Sequence, residues 1–506
     1  MKKKAALFCV ISLLALTRLA WAESFVPGEA LAVFANMSSR SVTASSVTRG
    51  PFRARAEAMA ASVGARVVRT YGELSQAGDQ IFALIRSETR STEELVRELQ
   101  KRPDVLAASP NFIVHATRDP DDPGFSGDNL WGLQAISAPW AWDVITGSDD
   151  IYVAVMDSGV CISHEDLAAN LDRTFSRNFV VEEGQSSPVF SDYEDGNGHG
   201  THVSGIIGAV GNNKLGVVGV NWKVRIITLR VLDDNGVGAI SWEIDAINYL
   251  LGLLREHPDM KLPAVNLSLG GYDSTTPEDM KTMPEWLAYK LLNDTDRTLI
   301  VVAAGNEGLE VGQPAPLDDP WEPALYCKGA FAYPASFVGL KNMIVVGAAV
   351  SNGSAAPFSN WSPTAVDLVA PGFDIVSTVF PDAPKGEGTT YGTYYGSMSG
   401  TSMATPFVAG AAALLASCTP EYTASQLKDA LLQGADQERN PTATAFTNVR
   451  AAPLSAFGYL NVNEAMGYLS RKSSSGGGGG CMVGHSGIGL AVVFLVSGMV
   501  FLRKRR

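Results

Sequence analysis

The sequence predicts an α/β protein in which a large domain with a mainly parallel central sheet follows a small α+β domain. The chain has 506 residues, 46% of them hydrophobic, and this length favours two or three domains. Apolar runs rich in Val and Ile alternate with longer helical stretches from about Asn129 to Leu469. Such runs are typical of strands buried on both faces of a parallel sheet and linked by helices.

The N-terminus predicts a secretory signal peptide over residues 1–22. Three lysines follow Met1, an apolar run extends from Ala5 to Leu19, and Ala20-Trp21-Ala22 offers small residues two positions apart for cleavage. A membrane anchor is the alternative, but the run is shorter than the roughly 20 residues that a spanning helix needs. We therefore expect the protein to be exported.

Residues 23–118 predict the small α+β domain, and the polar, Pro- and Gly-rich residues 119–130 predict a linker. The pattern alone leaves open whether this domain is removed or stays attached. Four strands and two helices are expected: strands at Glu29–Phe34, Ala65–Tyr71, Gln80–Arg86 and Phe112–Ala116, and helices at Arg53–Val63 and Thr92–Arg102.

Residues 131–470 predict the large domain. Residues 119–472 carry 19 basic and 42 acidic residues, a net charge of −23. This acidity argues against nucleic acid as a partner and favours bound cations. Buried strands are expected at Ile151–Met156, Arg225–Val231, Ala264–Leu269, Thr298–Ala303 and Met343–Ala348.

The C-terminal residues predict a Ser/Gly linker at 471–481 and a transmembrane or sorting segment at 482–506. An apolar stretch from about Gly487 to Leu502 precedes Arg503-Lys-Arg-Arg506, which would hold the C-terminus on the cytoplasmic side. A soluble core helix is the alternative, but no following segment would bury it. The large domain is then expected outside the cell, in agreement with the signal peptide.

Of the five cysteines, Cys9 lies in the signal peptide and Cys481 in the tail. Among Cys161, Cys327 and Cys418 at most one disulfide can form, so one thiol is expected to stay free.

His199 is the histidine most suited to chemistry, because it lies in Asn197-Gly-His-Gly-Thr-His-Val-Ser-Gly205. Glycines on both sides let the imidazole approach other backbone, which a core histidine seldom requires. His202 is better interpreted as structural.

Three further residues are candidates, although each has a simpler interpretation. Asp157 follows the apolar strand Ile-Tyr-Val-Ala-Val-Met, at the edge where α/β sheets form sites, but turn aspartates are common there. Ser402, in Gly400-Thr-Ser-Met-Ala-Thr-Pro, would begin a helix, either as a nucleophile or as a mere cap. Asn306, in Ala-Ala-Gly-Asn-Glu-Gly308, either donates to an oxyanion or closes a turn.

Together these motifs, in this order, resemble the subtilisin-like serine proteases (subtilases), and the resemblance extends from roughly Trp131 to Ala465. It implies a three-layer subtilisin-like domain and a serine endopeptidase. Ser402 would attack the carbonyl, His199 would carry the proton, and Asp157 would orient the imidazole. Asn306 and the Ser402 N–H would bind the oxyanion.

The resemblance also implies a substrate site and a structural Ca²⁺ site. Ala332 is small and falls where the family has the floor of its specificity pocket, which implies that a large apolar substrate residue precedes the cut. Extended polypeptide would pair with Gly236, Val237, Gly238, Ser268, Leu269 and Gly270. Calcium would take the side chains of Asp166 and Asn213 and the carbonyls of Leu215 and Val217. The alternative interpretation of this calcium-binding loop is a simple turn.

Residues 23–118 resemble the inhibitory propeptide of the family, with maturation between Thr117 and Asp128. The tail resembles bacterial Gly/Cys sorting tails, with Cys481 as a processing point. The segments Tyr272–Leu287 and Gly308–Tyr333, which flank the cleft, are longer than the family usually has.

Two other functions compete with the protease. The first is an esterase, because Gly400-Thr-Ser-Met-Ala404 is one residue from a nucleophile elbow, but that fold places its histidine after the serine, where only His485 remains. The second is a catalytically inactive surface binding protein on the same scaffold, which the intact motifs disfavour.

Overall fold

The structure is a computed structural model of the chain, and it describes residues 25–35, 50–78, 80–112, 118–125, 128–182, 184–316, 328–381, 393–419, 421–443 and 452–476. These residues form two compact units, one within residues 25–112 and one within residues 118–476. The predicted signal peptide and the predicted transmembrane segment lie outside the described residues.

The first unit is an antiparallel sheet with strand order β2-β3-β1-β4, against which helices pack. Its core is formed by alternate residues of the strands, such as Ile81, Ala83 and Ile85 of β3, which are buried while their neighbours are partly exposed. The elements are strands Phe25–Ala35 (β1), Arg66–Thr70 (β2), Gln80–Arg86 (β3) and Val105–Phe112 (β4), and helices Gly50–Ala61 (α1), Gly72–Gly78 (α2) and Thr92–Gln100 (α3).

Two elements of this unit differ from the prediction. The last strand covers Val105–Phe112 rather than Phe112–Ala116, and residues 113–117 lie outside the described residues. It is an edge strand paired only with β1, so it tolerates Pro110 and small residues that hide it in the sequence. Helix α2 was not predicted, because it has only seven residues.

The second unit is built on a seven-stranded parallel sheet with strand order β13-β12-β10-β8-β5-β7-β6. Its central strands are almost fully buried, because helices cover the sheet. The strands are Gly147–Asp157 (β5), Leu171–Asn178 (β6), Lys223–Arg230 (β7), Lys261–Leu267 (β8), Gly271–Asp273 (β9), Leu299–Ala303 (β10), Phe331–Tyr333 (β11), Met343–Ala349 (β12), Leu368–Pro371 (β13), Ile375–Thr378 (β14), Tyr395–Met398 (β15), Thr442–Ala443 (β16) and Ala452–Pro453 (β17). Three two-stranded sheets, β9 with β11, β14 with β15 and β16 with β17, complete it.

The helix Thr401–Cys418 runs through the middle of this unit and contacts the central strands β5, β8, β10 and β12. It is long and apolar enough to cross a membrane, and it is the only such helix among the described residues, but nearly all of it is buried in the protein. The helices are Trp131–Ala135 (α4), Ala138–Trp142 (α5), His199–Gly208 (α6), Ile240–Glu256 (α7), Pro277–Met280 (α8), Pro284–Asp294 (α9), Thr401–Cys418 (α10), Ala424–Gln433 (α11) and Val462–Gly476 (α12).

Helices therefore cover the parallel sheet, and the unit has the three-layer α/β architecture that the sequence predicts. Cys418, at the end of α10, is disulfide-bonded, whereas Cys161 is a free and buried thiol.

Candidate active site

The candidate residues meet at the carboxyl edge of the parallel sheet. Asp157 is the last residue of β5, Ser268 follows β8 directly, and Asn306 lies three residues beyond the end of β10. Since these strands are parallel, their carboxyl ends lie side by side. Helices α6 and α10 bring His199 and Ser402 to the same edge, each within the first turn.

His199 is held by Asp157. Its Nδ1 lies 2.7 Å from Asp157 Oδ1, and the carboxylate is fully buried while the imidazole is 26% exposed. Ser158 N donates to the same carboxylate oxygen over 2.8 Å. The close approach depends on the glycine after the histidine, because a Cβ on Gly200 would lie 2.2 Å from the Gly159 carbonyl oxygen.

The charge of this pair decides the protonation of the imidazole. Burial on its own lowers the pKa of His199, but the charge and hydrogen bond of Asp157, together with the charge of Asp195, outweigh it and raise the pKa above its ordinary 6.5. The imidazole is therefore a stronger base than a free histidine, which suits it to remove a proton from a hydroxyl.

Asp195 stands behind this pair, and sequence reasoning missed it. One carboxylate oxygen accepts from Ser158 Oγ at 2.9 Å and from the N–H groups of Asn197 and Gly198. The other accepts from the N–H and hydroxyl of Thr201. Asp195 thus joins the strand end that carries Asp157 to the loop and helix that carry His199. The only sequence signal was an acidic residue in a Gly-rich turn four residues before the histidine.

Ser402 is the second residue of α10. Its Oγ donates to the Ser268 carbonyl at 3.2 Å, and Ser268 Oγ donates to the Ser402 carbonyl at 2.8 Å. The Ser402 hydroxyl therefore forms no hydrogen bond with His199 in this structure, since it takes the Ser268 carbonyl as its acceptor.

Asn306 presents its amide nitrogen beside Ser402. Its Oδ1 accepts from the N–H of Thr401 at 2.8 Å and from the Thr401 hydroxyl at 3.0 Å, which fixes the orientation of the amide. Nδ2 donates to no described residue. A Cβ placed on Gly400 would lie 3.6 Å from Asn306 Nδ2 and 3.6 Å from Ser402 N, so both nitrogens border the same small space.

A groove of about 1010 Å³ opens beside His199. Gly236, Val237 and Gly238 line one wall, and Val237 is 61% exposed. Ser268, Leu269 and Gly270 also line the groove. Ala332 does not, although its neighbours Tyr333 and Pro334 do.

The residues expected to bind calcium also come together. Asp166 is buried, and its carboxylate accepts from Asn213 Nδ2 at 2.7 Å and from Val217 N at 3.0 Å. The carbonyls of Leu215 and Val217 belong to the same loop.

Asp122, which sequence analysis placed in the linker, is buried against this loop and accepts from the N–H groups of Asn212 and Asn213. Burial raises the pKa of Asp122 to about 6, and Asp166 adds to it. Its position in a Pro- and Asp-rich segment concealed it. The described residues contain no group of three or more His, Cys, Asp or Glu side chains suited to a metal.

Two other histidines have structural positions. His202 is fully buried, its Nε2 lies 2.9 Å from the Ile375 carbonyl oxygen, and burial lowers its pKa to about 3. His164 is also buried, and its Nε2 lies 2.9 Å from the Tyr394 carbonyl oxygen. Both rings therefore serve as neutral links within the fold.

A buried carboxylate that holds an imidazole, with a serine at a helix N-terminus and an open groove nearby, defines a serine-type hydrolase on an α/β sheet. Residues 148–468 match the sequence profile of the Subtilase family. The chain belongs to this family, and it is a serine-type endopeptidase.

Relatives of known name agree with this assignment. The chain is 36% identical over 327 residues to the Thermophilic serine proteinase of Bacillus sp. (strain AK1), covering 65% of this chain and 67% of that protein. It is 30% identical over 399 residues to Subtilisin amylosacchariticus of Bacillus subtilis subsp. amylosacchariticus, covering 79% and 88% of the two chains. It is also similar to a solved protease structure from Pseudoalteromonas arctica PAMC 21717, with 25% identity, a TM-score of 0.53, and coverage of 69% of this chain and 99% of the other.

Proposed function

We propose that peptide bonds are cleaved through an acyl-enzyme formed on Ser402. His199 takes the hydroxyl proton as Ser402 attacks and returns it to the leaving amine, while Asp157 holds the ring and stabilises its positive charge. The observation that carries this proposal is the 2.7 Å contact between a fully buried carboxylate and an imidazole that faces the groove.

Asn306 Nδ2 and the Ser402 N–H are the proposed oxyanion donors. Thr401 fixes the amide oxygen of Asn306, so the amide nitrogen needs no reorganisation when charge develops. The backbone of Gly236–Gly238 and of Ser268–Gly270 would pair with an extended substrate between them. The residue before the cut is proposed to be large and apolar, as the resemblance at Ala332 implies.

The protein is proposed to be exported and made as a zymogen. The signal peptide predicted at residues 1–22 supports export, residues 23–118 would inhibit the enzyme until they are removed, and the tail at 482–506 would anchor it to the membrane. Maturation is proposed on the N-terminal side of Asp122, because that residue is buried in the catalytic unit while Arg118 and Asp119 are exposed.

A structural calcium ion is proposed at Asp122 and Asp166, completed by Asn213 and the carbonyls of Leu215 and Val217. The two buried carboxylates lie close enough to repel each other, and neither forms an ion pair with a described residue. A divalent cation with oxygen ligands would neutralise both and tie residues 118–125 to the loop.

A fluorophosphonate probe tests the assignment of the nucleophile. The wild-type protein should be labelled once per chain and should cleave itself between the two units. Ser402→Ala should abolish both, whereas Ser417→Ala, at the far end of the same helix, should keep both. Labelling of the Ser402→Ala protein would refute the proposal.

A further inference from the structure

Three carboxylates line the same groove as His199, at positions that the catalytic mechanism does not use. Glu243 lies in the first turn of α7, Asp273 ends β9, and Glu285 lies in the first turn of α9. Together these residues are called the acidic pocket. Asp273 and Glu285 belong to the Tyr272–Leu287 segment, so the pocket is built partly by the additional length of this chain.

The described residues supply no cation to these carboxylates. Glu243 accepts a 2.8 Å hydrogen bond from the neutral Tyr289 hydroxyl, and no described Lys, Arg or His forms an ion pair with Glu243, Asp273 or Glu285. Burial raises the pKa of Glu243 to about 7 and that of Glu285 to about 7, and the charges of Glu243 and Asp273 add to the effect on Glu285. Within the described part of the chain, two half-buried acids are therefore left without a compensating charge in a cavity that opens to the substrate.

The walls around the acidic pocket are apolar. Ile240, Leu269 and Met283 line the same groove, and Ile240 is 52% exposed although it lies next to a buried helix face. An aliphatic stem could pack along these side chains while a charged head reaches the carboxylates, as lysine and arginine do when they cover apolar surface. A purely apolar occupant would instead bury the carboxylates without partners, which is costly.

None of the three carboxylates forms a hydrogen bond with Ser402 or His199. Ser402 contacts Ser268, at the beginning of the Ser268–Gly270 wall, whereas Asp273 lies beyond the far end of that wall. We therefore expect the pocket to take the side chain of a substrate residue other than the one that precedes the cut.

We propose that the acidic pocket is a specificity subsite for a lysine or arginine side chain of the polypeptide substrate, with Glu243 and Glu285 as the residues that select it. This proposal rests on the proposed function, because it needs peptide to lie in the groove beside Ser402. The net charge of −23 over residues 119–472 favours the same cationic substrates at longer range.

The test uses the mature enzyme and a positional library of fluorogenic peptides. Each position away from the cut carries in turn lysine, or norleucine, which has a four-carbon side chain and no charge. At one position, lysine should exceed norleucine about tenfold or more in kcat/KM, the order expected for a half-buried charge pair. The ratio is measured within one preparation, so it does not depend on the fraction of folded enzyme.

Variants then assign the preference to its residues. Glu243→Gln and Glu285→Gln should each lower the lysine-to-norleucine ratio about tenfold or abolish it, and Glu285→Lys should shift the preference towards Asp or Glu at that position. Asp245→Asn removes the same charge from an exposed residue of α7 that does not line the groove, and it should leave the ratio unchanged.

The outcomes separate this inference from the proposed function. Equal or better cleavage with norleucine at every position, or an unchanged ratio in both Gln variants, would overturn the subsite while the peptidase remains. Absence of all cleavage by the wild type, or cleavage by Ser402→Ala, would instead overturn the proposed function.

Discussion

Replacing Asp195 with asparagine should change both the stability of the enzyme and its dependence on pH. The carboxylate accepts five hydrogen bonds from Ser158, Asn197, Gly198 and Thr201. An amide nitrogen in place of the oxygen that faces Thr201 leaves the N–H and the hydroxyl of Thr201 without this acceptor, and it converts the three remaining bonds from charged to neutral. A buried donor without a partner costs about 1–3 kcal/mol, so a loss of about 3 kcal/mol is expected in total.

The same substitution should lower the pKa of His199, because the negative charge of Asp195 helps to hold that pKa above 6.5. Only the neutral imidazole can accept the proton of Ser402, so the activity of the wild type should fall as the pH decreases through the pKa of His199. In Asp195→Asn the acidic limb of the kcat/KM profile should therefore move to lower pH.

The two effects are measured separately. Urea unfolding of Asp195→Asn is compared with that of the parent in a Ser402→Ala background, which prevents self-digestion, and the pH profile is measured in the active background. Asp192→Asn is the matched control, since its exposed side chain forms no hydrogen bond with the described residues. A stability loss with an unmoved acidic limb would show that Asp195 has no electrostatic role, and full stability would refute the hydrogen-bond network.

Three other changes test the rest of the site. Asp157→Asn should lower kcat about 10⁴-fold, the order known for loss of a triad carboxylate in subtilisin and trypsin, and a smaller than tenfold loss in steady-state kinetics would contradict its role. Asn306→Ala should lower kcat about 10²- to 10³-fold with little change in KM, as found for the oxyanion asparagine of subtilisin; an effect on KM alone would exclude it as an oxyanion donor. Removing calcium with a chelator should lower the Tm of the Ser402→Ala protein, since an ion present at 100 times its Kd stabilises the fold by about 2.7 kcal/mol. Asp122→Asn should abolish this response to the chelator. An identical Tm with and without chelator in the protein that retains Asp122 would refute the proposed calcium site.

The central strands could be predicted because burial on both faces demands continuous apolar residues. The run Ile151–Met156 predicted β5, which extends to Gly147–Asp157. The edge strand Leu171–Asn178 could not be found in this way, because its buried residues Asp172, Ser176 and Asn178 are polar and the segment resembles a loop. Its place is set by pairing with β7, which is a tertiary interaction.

The residues of the candidate site also divide into those that the sequence reveals and those that only the fold reveals. Asp157 and His199 lie in motifs whose glycines are required by close backbone approach, so the sequence displays them. Asp195, Asp122 and Glu243 lie in a turn, a linker and an amphipathic helix, where acidic residues are ordinary. Only folding makes them unusual, by burying each carboxylate next to groups that are far away along the chain. For Ser402 the position was predictable, but the rotamer that bonds it to Ser268 was not.

The helix that carries Ser402 passes through the middle of the catalytic unit, with nearly every residue enclosed. Its backbone can be displaced only when the surrounding sheet also comes apart, so loss of the nucleophile and global unfolding should be one event. Molecules whose outer loops have already been cleaved by proteolysis would keep their peptidase activity and would digest unfolded copies of the same chain. Inactivation during storage is therefore expected to accelerate with enzyme concentration, as a second-order process between intact and unfolded molecules.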